Sequence, residues 1–207
     1  MTVLDERTAL TTVPLHPVLA ERWSTRAFDA SSVDDDQVVA LLEAARWAPS
    51  AMNAQPWRFL VGRRDELGPD RTWQLLHDSL AEGNRLWADR APLLIAALAR
   101  TTDPDGRPRP VAPYELGLAV AQLSMQAHAD GLSVHQMGGF DSEALSLGLD
   151  VPSDFSAVVV LAVGRRGSDD HLPDFLRERE RAPRQRLPLE EIAFAETWGS
   201  PAELRTW

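Results

Sequence analysis

The sequence predicts an α+β domain in which helices cover both faces of one sheet. Strand-length apolar runs alternate along the chain with segments of helical period. The run 92–99 is apolar throughout, as in a buried strand, and 156–163 carries the strongest strand pattern of the chain. Neither an internal repeat nor a clean boundary divides the 207 residues, a length that suits one domain with a sizeable core.

Each element has its own warrant. Ser32 followed by Asp35 reads as a capping box, and Val38, Leu41, Leu42 and Ala45 continue at helical spacing until Pro49 stops the helix. Residues 57–61 read as a short strand closed by Gly62. A helix is expected over 71–80, with Trp73, Leu76 and Leu80 on one side. The segment 103–110, rich in Asp, Gly and Pro, is a loop. The clearest helix runs over 115–130: Leu116, Ala119, Val120, Leu123 and Ala127 share a face, and Gly131 stands where a C′ glycine belongs. A strand over 132–136 breaks at Gly138-Gly139, and a short helix covers 142–149. Four strands make a narrow sheet. A fifth would come from elsewhere; the apolar tail after Pro188 is one source, and in a dimer it could be the partner's.

Composition removes whole classes of chemistry. Cysteine is absent, so disulfides, thiolate nucleophiles, Cys-ligated zinc and iron–sulfur clusters are excluded. All 21 basic residues are arginine, which excludes a Schiff-base or P-loop lysine. A net charge of -10 with no long basic stripe argues against nucleic acid as a partner. No apolar run is long enough to span a bilayer and no segment reads as a signal peptide, so the expectation is a cytoplasmic protein that binds no membrane.

Against that acidic background the arginine clusters stand out. Arg22, Trp23, Ser24 and Arg26 place two cations and a hydroxyl within five positions; Arg184 and Arg186 add two more at alternating positions. Such arginines suit a phosphate group, although alternating arginines are usually solvated surface. His128 and His135 lack a carboxylate at metal spacing, so no metal site is expected. Gly138-Gly139 is not a dinucleotide fingerprint, and neither Ser24 nor Ser50 sits in a nucleophile-elbow context. Trp57 reads as core. Tyr114, the single tyrosine, reads as a packing residue or a substrate-pocket contact.

Taken in order, the cluster Arg22-x-Ser24-x-Arg26, the loop Pro49-Ser50-x-x-Asn53-x-Gln55-Pro56-Trp57 and the segment Arg184-x-Arg186-Leu187-Pro188 resemble the FMN-dependent nitroreductase family. The resemblance covers roughly 16–199 and implies a three-layer α/β/α sandwich with a central mixed sheet, in a domain-swapped homodimer with FMN at the subunit interface. It implies a flexible arm over 1–15 and a C-terminal extension, about 187–207, packed on the partner. Arg22, Arg184 and Arg186 would meet the FMN phosphate. Trp23 and Ser24 belong to the same cofactor cluster, and Arg26 would reach the N1/O2 edge of the flavin. Pro49, Ser50, Asn53 and Gln55 would approach the flavin held mainly by the other subunit. Asn84 falls where members place an asparagine against the pyrimidine edge. Met137, Gly138 and Gly139 match the strand-end turn whose backbone N–H groups meet N5 and O4.

Two departures matter. A lysine common three residues after the asparagine is here Trp87, and a carboxylate frequent in the turn is here Gly138. Arg26 must then supply most of the positive charge near N1. The implied activity is NAD(P)H oxidoreduction: NADH or NADPH reduces FMN, and an electrophilic small molecule (nitroaromatic, quinone or activated alkene) takes the electrons, with no catalytic side chain needed. The same resemblance leaves open a flavin-binding protein without turnover and a same-fold dehalogenase or dehydrogenase.

Overall fold

A computed structural model describes residues 7–203. The ends of the expected N-terminal arm and C-terminal extension, residues 1–6 and 204–207, lie outside the described residues. The chain divides into two compact units: one is Trp23–Glu180, the other combines the residues up to Arg22 with those from Arg181 onward.

The larger unit is built around a five-stranded sheet. Its strands are β1 (Trp57–Asp65), β2 (Gly68–Pro69), β3 (Leu93–Arg100), β4 (Ser133–Met137) and β5 (Phe155–Gly164), in the order β2-β1-β3-β5-β4. All four pairings are antiparallel. The expectation of a mixed sheet is therefore corrected for the described residues. The fifth strand comes from β2, a two-residue hairpin return off β1, rather than from the tail.

Side-chain alternation explains the three layers. Along β3, Leu93, Ile95, Ala97 and Ala99 face one core with helices α2 (Asp35–Arg46) and α5 (Ala112–Ala129). Leu94, Ala96 and Leu98 face the other core, with α3 (Arg71–Ser79), α4 (Glu82–Ala88) and α6 (Ser142–Gly148). A strand buried on both faces has no polar alternation, which is why 92–99 reads as a continuous apolar run. In β5 the register shifts opposite Ala97/Leu98. One extra residue there reverses parity: Phe155 and Ala157 pack on the second core, whereas Val159, Leu161 and Val163 pack on the first.

Three local expectations are corrected. β1 runs through Gly62 instead of ending at it. Glycine is required there because a Cβ would lie 2.3 Å from the backbone nitrogen of Trp73, where α3 crosses the strand. Helix α2 begins at Asp35, after the N-cap residue Asp34, so Ser32 makes no capping box. Helix α5 begins at Ala112, three residues early, because Pro113 fits a first helical turn. Helix α7 (Asp174–Arg181) escapes the apolar-periodicity reading altogether: only Phe175 and Leu176 are apolar in it.

In the smaller unit, the four-residue helix α1 (Pro17–Ala20) follows His16, whose Nδ1 accepts the Val18 N–H. Within the expected N-terminal arm, the Ala9 N–H donates to the Ala20 carbonyl at 2.8 Å. Among its described residues the tail carries one 3-10 turn, Leu189–Glu191, and leaves Leu187, Ile192 and Trp198 exposed.

Candidate functional site

Within the smaller unit, three of the sequence-predicted residues converge. Arg22, Arg184 and Arg186 line one cavity of about 610 Å³, walled on its other sides mainly by Leu10, Val13, Leu15 and Leu19. The Arg184 Nη1 donates to the carbonyls of Arg7 (2.8 Å) and Ala20 (2.7 Å). These bonds fix the guanidinium without neutralising it. Burial, then the positive charge of Arg22 and Arg186, holds the Arg184 pKa below the usual arginine value; burial and Arg186 act in the same direction on Arg22. Cations crowded against one another are stabilised by an anion, and guanidinium forks suit phosphate oxygens.

Arg26 belongs to the larger unit, and its surroundings differ. Its backbone N–H is shared between both carboxylate oxygens of Glu180, each at 3.1 Å. The Thr25 hydroxyl donates to Glu180 Oε1 and accepts the Ala27 N–H at 3.0 Å. From β4, the His135 Nδ1–H donates to the Thr25 carbonyl at 2.9 Å. Burial, reinforced by Arg26, lowers the His135 pKa to about 4, so the ring is neutral at pH 7. It lies against Trp87, ring centroids 4.5 Å apart, and Trp87 is itself buried beside Phe28. Trp87 thus serves the core at the position where a lysine is common in some members of the family the sequence resembles. The Arg26 pKa is lowered by burial, with Glu180 opposing that shift and Arg179 adding to it. Trp23 stacks under the guanidinium of Arg166, 5.1 Å from its ring centroid.

The predicted loop is built under backbone strain. Met52, Asn53 and Gln55 all adopt positive φ (53°, 55° and 47°) without being glycine, at a cost of about 1 kcal/mol or more each. Hydrogen bonds compensate. Ser50 Oγ accepts the Gln55 N–H at 3.0 Å, and the buried Glu115 accepts the Ala51 N–H at 2.7 Å. Met52 is fully exposed. Pro49, Ser50 and Ala51 line a cavity of about 360 Å³ with Tyr114 and Glu115. Tyr114 is 70% exposed, so its expected packing role is corrected.

Two predicted residues far apart in sequence also meet. Asn84 Nδ2, on α4, donates to the Gly139 carbonyl at 3.0 Å, and that carbonyl also accepts the Ala81 N–H at 3.0 Å. Met137 is buried and anchors the turn, whereas Gly138 and Gly139 are exposed. A Cβ at Gly138 would meet nothing within 4 Å, so that stretch of backbone is open to a ligand; at Gly139 a Cβ would approach Asn84 at 3.2 Å.

Glu180 and Glu115 are site residues that the sequence reading missed. Glu180 is masked by the charge run 177–181, yet it stands four residues after the buried Leu176, on the same helical face. Glu115 stands beside Leu116, with no signal of its own.

The sequence profile described as the nitroreductase family matches residues 19–165. An uncharacterised 15.4 kDa protein of Mycolicibacterium smegmatis is 36% identical over 148 residues, 70% of this chain and 99% of that one. More distant are the 5,6-dimethylbenzimidazole synthase of Rhodospirillum rubrum, 27% identical over 75% of this chain and 83% of its own, and the putative NAD(P)H nitroreductase YdgI of Bacillus subtilis, 25% identical over 85% and 94%. Among solved structures, an oxidoreductase containing FMN superposes with a TM-score of 0.86 at 35% identity, covering 93% of this chain and 96% of that one. A putative nitroreductase of Desulfovibrio desulfuricans in complex with FMN gives 0.68 at 26% identity, covering 89% and 99%. With the matched segment spanning more than half of its length, the chain belongs to the nitroreductase family.

Proposed function

We propose that this protein is an FMN-dependent NAD(P)H oxidoreductase acting on electrophilic small molecules such as nitroaromatics, quinones or activated alkenes. The observation that carries the reading is the convergence of Arg22, Arg184 and Arg186 on one cavity, a donor set suited to a phosphate. The similar solved oxidoreductase that contains FMN supports the identity of the cofactor. The name of the Bacillus relative supports a nicotinamide donor.

The residues fit the group. FMN, when bound, supplies a ring that accepts hydride at N5 and hands the electrons on, so the chain needs no nucleophile of its own. Arg22, Arg184 and Arg186 would hold the phosphate. Arg26 would present positive charge toward the N1/O2 edge, favouring the reduced anion. The exposed backbone at Gly138 and Gly139 would offer N–H donors, and Asn84 keeps that turn in place through the Gly139 carbonyl. Ser50, Asn53 and Gln55 would border the partner's cofactor. Exposed Leu187, Leu189, Ile192 and Trp198 give the C-terminal segment an apolar surface to lay on a second copy, which supports a homodimer. Among the described residues no helix is long and apolar enough to cross a membrane.

A second reading keeps the cofactor and changes the reaction, as the synthase name of the Rhodospirillum relative illustrates. The deciding experiment is an absorbance spectrum of the protein with FMN, followed anaerobically by NADH and NADPH. Bound flavin that bleaches with a nucleotide and recolours with a quinone or nitroaromatic, with ping-pong kinetics, supports the reductase. Bound flavin that neither nucleotide bleaches overturns it in favour of the second reading or of flavin storage. Failure to bind FMN overturns both.

A further inference from the structure

Glu180 is an uncommon object: a carboxylate only 3% exposed, in the last turn of a helix otherwise crowded with arginine. A buried carboxylate costs several kcal/mol unless its lone pairs are satisfied. Here they are met by the Thr25 hydroxyl and by the Arg26 N–H, which reaches both oxygens. All of these donors belong to two consecutive residues. The Thr25 carbonyl is meanwhile held by His135 on β4. Both anchors are distant in sequence, 155 and 110 residues away from Thr25, and grip the peptide from which the Arg26 side chain leaves.

We propose that Glu180 is a positioning residue for Arg26: it locks the Thr25–Arg26 peptide, with His135 as counter-anchor, and its negative charge moderates the field that Arg26 exerts on the bound flavin. The inference rests on the reading of Arg26 as the cation at the flavin edge. A carboxylate is suited to both tasks, since it accepts several N–H and O–H donors at once and brings a full charge close to the guanidinium. The opposing influence of Glu180 on the Arg26 pKa points the same way. An amide in its place would keep an acceptor and lose the charge. An alanine would lose both.

The test uses the full chain and three variants, Glu180→Gln, Glu180→Ala and Arg26→Ala. Three readouts are taken: amide hydrogen exchange over 24–28 in FMN-free protein, the FMN dissociation constant, and the midpoint potential of the bound flavin. Circular dichroism and melting temperature check folding. Glu180→Ala is expected to accelerate exchange at Arg26 at least tenfold and to weaken FMN binding about tenfold. Glu180→Gln is expected to keep most of the protection and to shift the potential upward, because the positive charge of Arg26 is no longer opposed. Unchanged exchange in Glu180→Ala overturns the clamp. Should Glu180→Ala fail to fold, Thr25→Ser and Thr25→Val replace it: the serine keeps the donor and the valine removes it, so equal exchange in the two overturns the clamp. An unchanged potential in Glu180→Gln, with a shifted one in Arg26→Ala, overturns the moderating role alone. An unchanged potential in Arg26→Ala instead overturns the placement of Arg26 at the flavin, and with it the moderating role, while the exchange data still decide the clamp.

Discussion

Arg184 of the smaller unit and Arg26 of the larger are both partly buried arginines, yet they are held in opposite ways. The side chain of Arg184 is fixed by two backbone carbonyls, and its charged neighbours, Arg22 and Arg186, share its sign. In Arg26 the backbone is fixed, by a carboxylate whose charge opposes that of the guanidinium. The first arrangement accumulates positive charge that an anion would relieve. The second holds the Arg26 cation in register and tempers it. Affinity for a phosphate and control of a ring potential call for these two environments respectively, and each makes different variants informative.

The largest effect is expected at the accumulated charge. Arg184→Ala removes a cation from the cavity and a donor from each of the Arg7 and Ala20 carbonyls. FMN affinity should fall about a hundredfold, or about 3 kcal/mol, with little change in the potential of whatever flavin still binds. Fluorescence titration and dye equilibration read the two quantities separately. A variant that shifted the potential while keeping its affinity would reverse the assignment of roles.

The next prediction concerns the fold beneath Arg26 and depends on pH. His135 is neutral in the native chain, with its pKa lowered to about 4 by burial first and by Arg26 second; its bonds to the Thr25 and Ser24 backbone act against that shift. The unfolded chain takes up a proton below about pH 6.5, whereas the native chain does not until about pH 4. Stability from the neutral ring is thus complete above pH 6.5 and is lost as the pH falls toward 4. Allowing for partial exposure, the loss is about 2 kcal/mol. Urea unfolding of wild type and His135→Gln across that window isolates the contribution, since glutamine can still donate to Thr25 but does not titrate. Identical slopes would mean that the titration of His135 does not set the pH dependence of stability across that window.

A smaller change is expected at the tempered charge itself. Arg26→Ala should weaken FMN binding about tenfold, near 1.4 kcal/mol, and make the flavin harder to reduce. That is the inverse of the Arg184 pattern, with the potential as the dominant readout.

How far these environments could be read from the chain differs by region. The sheet and its two cores were legible because burial on both faces leaves a continuous apolar run at 92–99, and because α5 keeps Leu116, Ala119, Val120, Leu123 and Ala127 at helical spacing. The arginines and the loop were legible as a resemblance, and the structure gathers Arg22, Arg184 and Arg186 on one cavity. Contacts that exist only in three dimensions were not legible. Gly62 reads as a breaker, but α3 crosses so closely that only glycine fits within the strand. Glu180 reads as one more charge in a solvated run until α7 folds and turns it inward, behind Leu176. Trp87 occupies a position where the family resemblance suggested a cation, and its partners Phe28 and His135 lie far away in sequence.

The adjacent glycines of the strand-end turn give the mildest test of where the ring side of the site lies. Neither has a positive φ, so alanine is conformationally acceptable at both. They differ in surroundings: a Cβ at Gly138 enters open space, whereas one at Gly139 comes within 3.2 Å of Asn84 Nδ2 and 3.4 Å of the Ala81 Cβ. Gly138→Ala should leave the melting temperature of the FMN-free protein within the scatter of a neutral surface change, about 0.5 kcal/mol. The same methyl group would stand where a ligand must approach the backbone, so FMN affinity should still fall several-fold. Gly139→Ala should instead disturb the Asn84 hydrogen bond before any ligand arrives, lowering FMN-free stability by about 1 kcal/mol. If Gly138→Ala binds FMN as tightly as wild type, the open backbone at this turn is not the flavin contact, and the ring must be held without it.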